Sequence, residues 1–287
     1  MRYMLSLLAG LALASPAMAQ HDHHRFSAEA SAAHAAVAIP VDPALTAVVA
    51  DPRRDEDRAR DKWRNPVETL TFFSVTSHMK VGEYAPGGGW YSRLLGLYLG
   101  PKGKLVGLYN MPSDAARQQP TRDRAAKFPA DVAGWSGQPA DRFSSLTLDA
   151  VPAGEKGTYD RILVIRMLHN MLRAKSATGD FKAMGDLLKP GGLIGIVQHR
   201  AKADAPDAYA DGSKGYLREA DVIKFMESNG FELIAQSEIN ANPADTANWP
   251  DGVWTLPPTL QKGEVDRARY QAIGESDRMT LLFRKRG

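Results

Sequence analysis

The chain has 287 residues, a formal net charge of +3 and no cysteine. This length suits one large domain or two small ones, and the apolar content is ordinary for a globular protein. The small charge, without a Lys/Arg-rich block, argues against nucleic acid as the main partner. The lack of cysteine excludes thiol chemistry and disulfides.

The first residues have the pattern of a secretory signal peptide. Arg2 gives a positive start, residues 4–14 are apolar, and Ala17-Met18-Ala19 forms an A-x-A cleavage pattern. We expect cleavage after Ala19, which predicts a signal peptide at 1–19 and a periplasmic or secreted protein. The apolar run is too short for a permanent anchor, so no membrane anchor is expected after cleavage.

Residues 20–41 are predicted to be a flexible linker because they are rich in alanine and contain few large apolar groups. The cluster from His21 to His24 has two interpretations, a divalent-metal site or a solvated tail. We favour the tail, since no partner ligands are identifiable elsewhere, and predict no metal. Residues 42–287 are predicted to form a single domain.

The domain is expected to begin with a helical extension. Asp42-Pro43 has the pattern of a capped helix start, and Asn65-Pro66-Val67-Glu68 has it again. Between them, residues 51–62 alternate in charge and include Glu56 and Arg60 as an i,i+4 pair. This stretch is predicted to be a solvated helix face.

From residue 79 onward, short apolar runs alternate with amphipathic segments. The predicted strands are 80–84, 104–109, 144–148, 161–166, 193–198, 231–237 and 279–284. The predicted helices are 90–99, 113–127, 181–188 and 217–228. This alternation predicts an α/β fold, a parallel sheet with helices on both faces.

The turn after the first predicted strand is rich in glycine. Glu83 ends the strand, Gly87-Gly88-Gly89 follows, and a helix begins at Trp90. Glycines allow the backbone to turn sharply and approach a ligand closely, and the helix N-terminus offers free N–H groups. Taken alone, the pattern also suits a purely structural turn.

Several segments together resemble class I S-adenosylmethionine-dependent methyltransferases. The run from Glu83 to Gly89 resembles their first motif, and residues 148–150, 159–170 and 187–193 resemble the motifs at strands three, four and five. More narrowly, residues 66–285 resemble an uncharacterised exported "predicted methyltransferase" family. The resemblance implies a Rossmann-like sheet of seven strands with the last one antiparallel.

The resemblance also implies a cofactor, S-adenosylmethionine, and a set of residues that bind it. Glu83 would face its methionine portion, and Asp149 with Ala150 would contact the adenine. The remaining cofactor-binding candidates belong to the glycine-rich turn and the end of the second strand: Tyr84, Pro86, Gly87, Gly88, Gly89, Trp90, Tyr91, Tyr109 and Asn110.

Two departures from the family pattern predict weaker cofactor binding. Ala85-Pro86 replaces the first glycine of the turn and stiffens it. The acid that usually holds the ribose hydroxyls, about twenty residues past the glycines, is absent. Tyr109 and Asn110 stand there, and an amide oxygen accepts a hydroxyl proton without charge assistance.

Polar residues at the ends of the predicted strands are the candidates for chemistry on the acceptor. His169 and His199 are candidate general bases, although each could instead bond a carbonyl and order its loop. Asn170 and Arg200 are neighbouring substrate-side candidates. Methyl transfer mainly requires in-line placement of the acceptor, so a base is optional.

A long insertion, residues 240–276, separates the last two predicted strands. Both its ends are expected at the ligand-facing edge of the sheet, where long loops are often functional. Asn242, Trp254, Glu275 and the adjacent Asp277 are candidates for a substrate wall or lid. The equally weighted alternative is a surface flap.

The sequence therefore supports two functional hypotheses. The first is an S-adenosylmethionine-dependent methyltransferase that acts on an unknown small-molecule acceptor. The second is an exported, non-catalytic small-molecule-binding protein that retains the methyltransferase fold. The absent ribose acid and the export signal favour the second hypothesis, and the set of motifs favours the first.

Overall fold

The structure is a computed structural model that describes residues 40–287. The predicted signal peptide, the cluster from His21 to His24 and nearly all of the predicted linker lie outside the described residues. Within the described residues, no helix is both long enough and apolar enough to cross a membrane.

The centre of the fold is a seven-stranded sheet. Its strands are β1 (Lys80–Tyr84), β2 (Lys104–Tyr109), β3 (Phe143–Thr147), β4 (Tyr159–Ile165), β5 (Leu188–His199), β6 (Phe231–Ser237) and β7 (Arg278–Lys285). The strand order is β3-β2-β1-β4-β5-β7-β6, and β7 is antiparallel to both of its neighbours. This is the Rossmann-like sheet of class I methyltransferases, which confirms the predicted fold.

Helices of the described residues cover both faces of the sheet. They are α1 (Pro43–Val49), α2 (Asp55–Arg58), α3 (Asp61–Arg64), α4 (Pro66–Phe72), α5 (Trp90–Tyr98), α6 (Ala115–Ser136), α7 (Leu168–Arg173), α8 (Ala177–Leu187), α9 (Asp207–Ala210), α10 (Glu219–Ser228) and α11 (Arg267–Ile273).

Alternate residues of β4 pack into two separate apolar cores. Ile162 and Val164 belong to a core with α8 and α10, whereas Leu163 belongs to a core with α4, α5 and α6. Side chains of a strand alternate between faces, so the two cores lie on opposite sides of the sheet. The sheet is therefore buried on both faces, and its strand ends are left to form a site.

The N-terminal extension differs from the sequence prediction. Residues 51–62 form short separate turns rather than one solvated helix face, and Arg54 and Asp57 are buried. Their charges are satisfied by protein groups: Arg54 Nη2 lies 2.8 Å from Asp61 Oδ1, and Asp57 pairs with Arg93. The prediction was wrong for these two residues because these partners replace water, although most of the stretch is exposed.

Two other local patterns were overridden by distant contacts. Asn65 does not cap α4, because its backbone is left-handed (φ 40°) and its amide donates to the Ile239 carbonyl at 2.6 Å. Helix α6 continues past the predicted end at residue 127 despite Pro129. Phe128 and Val132 on this extra stretch are buried in the core, and that packing stabilises it.

The segment between β6 and β7 has a core of its own. Trp249, Val253, Leu256 and Tyr270 are buried there, together with Tyr216 from before α10. Trp249 Nε1 donates to Asp245 Oδ1 at 2.8 Å, which satisfies the buried indole. The insertion is thus packed against the domain in a defined arrangement.

Candidate functional site

The glycine-rich turn leaves an open space beside its backbone. Gly87 (φ 60°) and Gly89 (φ 76°) both have left-handed backbones, which glycine adopts without strain. A Cβ added to Gly88 would meet nothing within 4 Å, whereas one added to Gly89 would lie 2.5 Å from the Trp135 ring. The turn thus needs glycine at 89 for packing and presents open backbone at 88.

Two cavities adjoin this turn. We call them the larger cavity, of about 680 Å³, and the smaller cavity, of about 280 Å³. Ligand sites for small molecules commonly measure a few hundred to about a thousand cubic ångströms. The residues that line both cavities are Tyr84, Ala85, Pro86, Gly87, Met167 and Asn170. The turn and the start of α7 therefore form the boundary between the two spaces.

The end of β2 lies at the larger cavity. Tyr109 and Asn110 both line it. The Asn110 amide nitrogen donates to Asp180 of α8, 2.9 and 3.1 Å from the two carboxylate oxygens. Asp180 also accepts from the Tyr84 hydroxyl at 2.9 Å and the Ser176 hydroxyl at 2.8 Å.

This network fixes the orientation of the Asn110 amide. Because the nitrogen is bound to a carboxylate, the Asn110 side-chain oxygen is free to accept a hydrogen bond in the larger cavity. The sequence analysis did not identify Asp180. Its only local signal was a Ser-x-x-x-Asp spacing at the start of a helix, which any amphipathic helix can contain.

Asp149 and Ala150 lie away from both cavities. Both residues are exposed, two and three positions after the end of β3, and neither lines a cavity. The structure does not bring these two candidates to the adenine side. Phe128 and Trp135 of α6 line the larger cavity and provide aromatic surface there.

The two candidate histidines meet in the smaller cavity. His169 is in α7, His199 ends β5, and their ring centroids are 5.4 Å apart. His169 Nδ1 lies 3.3 Å from Gln198 Oε1, and His199 Nδ1 lies 2.6 Å from Ser276 Oγ. Both rings are buried. Sequence reasoning thus placed two histidines at one site, and the structure adds the contacts that orient them.

Burial makes both imidazoles weak bases. Burial lowers the pKa of His169 to about 4, outweighing the hydrogen bond that its ring donates to the Gln198 side-chain oxygen. Burial, and then the neighbouring His169 and Arg166, hold the pKa of His199 well below its ordinary value. At neutral pH both rings are therefore uncharged, and each has little driving force to take a proton from an acceptor.

Glu83 lies beneath the turn and lines the smaller cavity. It is buried, and its Oε2 accepts from the Ser92 hydroxyl at 2.6 Å. Burial raises the pKa of Glu83 to about 8, against the opposing effects of Ser92 and Arg93. The side chain is thus mainly a neutral carboxylic acid at pH 7, able to donate a hydrogen bond as well as accept one.

Trp90 and Tyr91 form the wall behind the turn. The Trp90 ring packs between the guanidinium groups of Arg54 and Arg64, at 5.2 and 4.9 Å, and its Nε1 donates to the Asp57 carbonyl. Both aromatic residues are buried and line the smaller cavity but not the larger one. Trp90 therefore leaves the space beside the turn open.

A buried group of arginines surrounds Glu275 next to the histidines. Arg64 Nε lies 3.0 Å from both Glu275 oxygens, and Arg278 Nη1 donates to Oε2 at 2.8 Å. Arg166 Nη1 is 3.9 Å away. Burial opposes ionisation of Glu275, but Arg278 and Arg64 outweigh it and hold its pKa below the ordinary value. Glu275 was predicted from the sequence as a substrate-side residue, whereas Arg64 and Arg166 were not.

The remaining substrate-side candidates divide into two groups. Asn170 lines both cavities, and Trp254 and Glu275 line the smaller one. Arg200, Asn242 and Asp277 line neither. Arg200 pairs with Asp277 at 3.1 Å, and the Asn242 backbone N–H donates to the same carboxylate at 2.9 Å. These three residues connect β5, the insertion and β7.

The sheet order, the open turn and the adjoining cavities define a protein of the class I methyltransferase fold. No family model and no curated protein matches the chain. Among solved structures, the cyclase SpnF is 15% identical over 86% of this chain and 98% of its own, with a TM-score of 0.53.

Two methyltransferases are similar at lower TM-scores. One from Aquifex aeolicus, described as S-adenosylmethionine-dependent, is 16% identical over 70% of this chain and 94% of its own, with a TM-score of 0.48. A putative sarcosine dimethylglycine methyltransferase from Galdieria sulphuraria is 14% identical over 91% of this chain and 97% of its own, with a TM-score of 0.47. At these identities the likeness is one of fold alone.

Proposed function

We propose that this protein is an S-adenosylmethionine-dependent methyltransferase that acts on a small-molecule acceptor. The observation that carries this proposal is the pair of cavities that meet at the glycine-rich turn. The larger cavity has the size of a nucleoside-derived ligand site, and the smaller cavity has the size of a small acceptor's site. A group on one ligand can thus face an atom of the other across the turn.

The residues of the larger cavity fit the cofactor. The backbone at Gly87, where an added Cβ would meet nothing closer than 3.8 Å, allows close approach of a ligand, and the oriented Asn110 oxygen would accept from a ribose hydroxyl. Phe128 and Trp135 provide aromatic surface for an adenine ring. When bound, the cofactor would supply an electrophilic methyl group.

On the acceptor side, the chain contributes placement more than acid–base chemistry. His169 and His199 are uncharged and positioned by Gln198 and Ser276, so they can accept hydrogen bonds that orient an acceptor. Trp254 and the neighbouring prolines would exclude water. In-line alignment of the two reactants is a large part of the rate advantage available to such a transfer.

The alternative is a binding protein that retains the fold without methyl transfer. Its support is the amide at Asn110 where the family has an acid, together with two histidines that are poor bases. The similarity to a cyclase gives the fold only and does not separate the two functions.

Calorimetric titration of the purified full-length chain with S-adenosylmethionine and S-adenosylhomocysteine tests the proposal. We expect micromolar binding that Gly87→Arg abolishes by filling the open space. Gly157→Arg is the matched control, because Gly157 also has a positive φ (66°) and open surroundings but lies outside both cavities. Absence of binding at millimolar ligand would overturn the proposal.

We also propose that the chain is exported, on the sequence pattern of its first residues. Expression in a bacterial host followed by cell fractionation and N-terminal sequencing tests this. We expect a periplasmic product that begins at Gln20. An uncleaved cytoplasmic product would contradict it.

A further inference from the structure

We propose that the smaller cavity binds an acceptor that carries a carboxylate or phosphate group, and that Arg166 is the residue that receives this anion. This inference rests on the proposed function, because it specifies the chemical class of the acceptor. It is carried by the charges, contacts and shape of the smaller cavity.

The smaller cavity has an excess of positive charge. Its arginines are Arg60, Arg64 and Arg166, and its carboxylates are Glu83 and Glu275. Glu83 is largely protonated at neutral pH, which leaves Glu275 as the one charged carboxylate among the lining residues that the structure describes. The cavity therefore favours an anionic ligand.

Glu275 does not satisfy Arg166. Its two oxygens accept from Arg64 and Arg278, both of which are almost completely buried. The closest Arg166 nitrogen lies 3.9 Å away, and its guanidinium makes no hydrogen bond to any described residue. A guanidinium has five N–H donors, so those of Arg166 are available to bind an anion in the cavity.

Arg166 is nonetheless held at the cavity. Its side chain is 28% exposed, and its backbone N–H donates to the Val197 carbonyl at 2.6 Å. The backbone is left-handed (φ 58°), a conformation that costs a long side chain free energy and that often occurs at ligand sites. Burial and the nearby Arg64 lower the pKa of Arg166 to about 9, so the group remains charged at neutral pH.

One part of the cavity wall is apolar. Val253, Trp254, Pro257 and Pro258 of the insertion line it, and the Trp254 ring centroid lies 6.1 Å from that of His169. A flat apolar body fits such a wall, and its anionic group would then reach Arg166. A volume of about 280 Å³ suits a single small aromatic acid rather than a polymer chain.

The carboxylate of the cofactor's own methionine portion offers the same chemistry as an acceptor anion. The two sources are separable because they predict different effects of one substitution. If Arg166 receives the acceptor, its removal weakens the binding of an aromatic acid and leaves S-adenosylhomocysteine binding intact. If it receives the cofactor, both measurements change together.

The experiment is calorimetric titration of the full-length chain with benzoate and with benzamide, its neutral isostere, with and without S-adenosylhomocysteine. We expect the wild type to bind benzoate at least tenfold more tightly than benzamide. Arg166→Gln should lose the preference for benzoate and retain wild-type affinity for S-adenosylhomocysteine. Arg166→Lys should keep part of the preference for benzoate. Arg284→Gln removes an equal charge from the exposed end of β7 and should behave like the wild type.

Three results would overturn the inference: no benzoate binding by the wild type, equal affinity for benzoate and benzamide, or an Arg166→Gln variant that loses S-adenosylhomocysteine as strongly as benzoate. Thermal unfolding of each variant verifies that it is folded. A wild type that binds benzoate through Arg166 but does not bind S-adenosylhomocysteine would support the anion site and contradict the methyltransferase proposal.

Discussion

The carboxylate of Asp180 binds the amide nitrogen of Asn110, with separations of 2.9 and 3.1 Å to its two oxygens. Related folds have an acidic residue at the end of β2. This chain has Asn110 there instead, and Asp180 of α8 orients its amide. The negative charge is thus one residue removed from the larger cavity, and it fixes which end of the amide faces that cavity.

Asp180→Asn should weaken the binding of S-adenosylhomocysteine about tenfold, because the amide of Asn110 loses its charge-assisted partner and is free to flip. Calorimetry measures this affinity. Asp186→Asn, on the same helix but in a partly exposed ion pair with Lys182, is the control and should leave the affinity unchanged. An Asp180→Asn variant with wild-type affinity would show that the orientation of Asn110 is irrelevant to binding.

Glu83 should make the protein less stable as the pH rises. Its pKa is about 8 in the folded chain and 4.5 ordinarily, so between these values the folded chain holds one more proton than the unfolded chain. The contribution to the free energy of unfolding is fully present below pH 4.5 and falls by about 1.4 kcal/mol per pH unit up to pH 8.

Denaturant unfolding of Glu83→Gln and the wild type at several pH values tests this slope. The free energy of unfolding of the variant should lack the decrease that the wild type shows between pH 4.5 and pH 8. The variant should therefore become more stable relative to the wild type as the pH rises. Glu68→Gln alters an exposed carboxyl and should follow the wild type. Parallel curves for Glu83→Gln and the wild type would contradict a raised pKa.

The rings of His169 and His199 should remain uncharged down to pH 5.5. Burial lowers the pKa of His169 to about 4 and that of His199 well below its ordinary value, so the unfolded chain takes up these protons first. The contribution of His169 to stability is present above pH 6.5 and is lost as the pH falls toward 4, and His199 contributes in the same direction. Two-dimensional NMR of the ring nitrogens between pH 7.5 and 5.5 measures this directly.

His169→Gln and His199→Gln assign the two sets of ring signals in that experiment. His78→Gln, at an exposed position, is the matched control for assignment. A titration midpoint near pH 6.5 for either buried ring would contradict the prediction. It would also show that this histidine can act as an efficient base at neutral pH.

Glu275→Gln should destabilise the protein by about 3–5 kcal/mol, because it leaves the buried Arg64 and Arg278, and Arg166 beside them, without a counter-charge. Urea unfolding measures the loss. Glu232→Gln, whose partner Arg284 is half exposed, should cost less than about 1 kcal/mol. Combining Glu275→Gln with Arg166→Gln should cost less than the sum of the two single changes, since the second change removes part of the repulsion.

The sheet and the turn were predictable from the sequence because their signals are local. The apolar runs predicted for β2 and β6 match the observed Lys104–Tyr109 and Phe231–Ser237, and the glycines of the turn indicated the ligand-facing loop directly. The two histidines were also found, since strand ends in a parallel sheet converge at one edge.

The electrostatic part of the site was not predictable in this way. Arg64 and Glu275 are separated by 211 positions in the chain, and no local pattern connects them. In the sequence, Arg166 looks like an ordinary residue at the end of a predicted strand. Asp180 looks like an ordinary residue of a helix. The importance of Arg166 and Asp180 depends on the hydrogen-bond partners that each has, or lacks, after folding. The spacing of residues along the chain does not reveal these partners.

The contact between Arg64 and Glu275 joins the segment before the sheet to the rest of the domain. It fastens the short helices before the sheet to the last turn of the insertion, and Trp63 fills the space beside Gly274 at the same junction. A version trimmed to the first strand would remove Arg60 and Arg64 from the wall of the smaller cavity and leave Glu275 with Arg278 as its remaining hydrogen-bonded arginine. The segment ahead of the sheet is thus a structural component of the smaller cavity, and engineering that transplants this fold must include it.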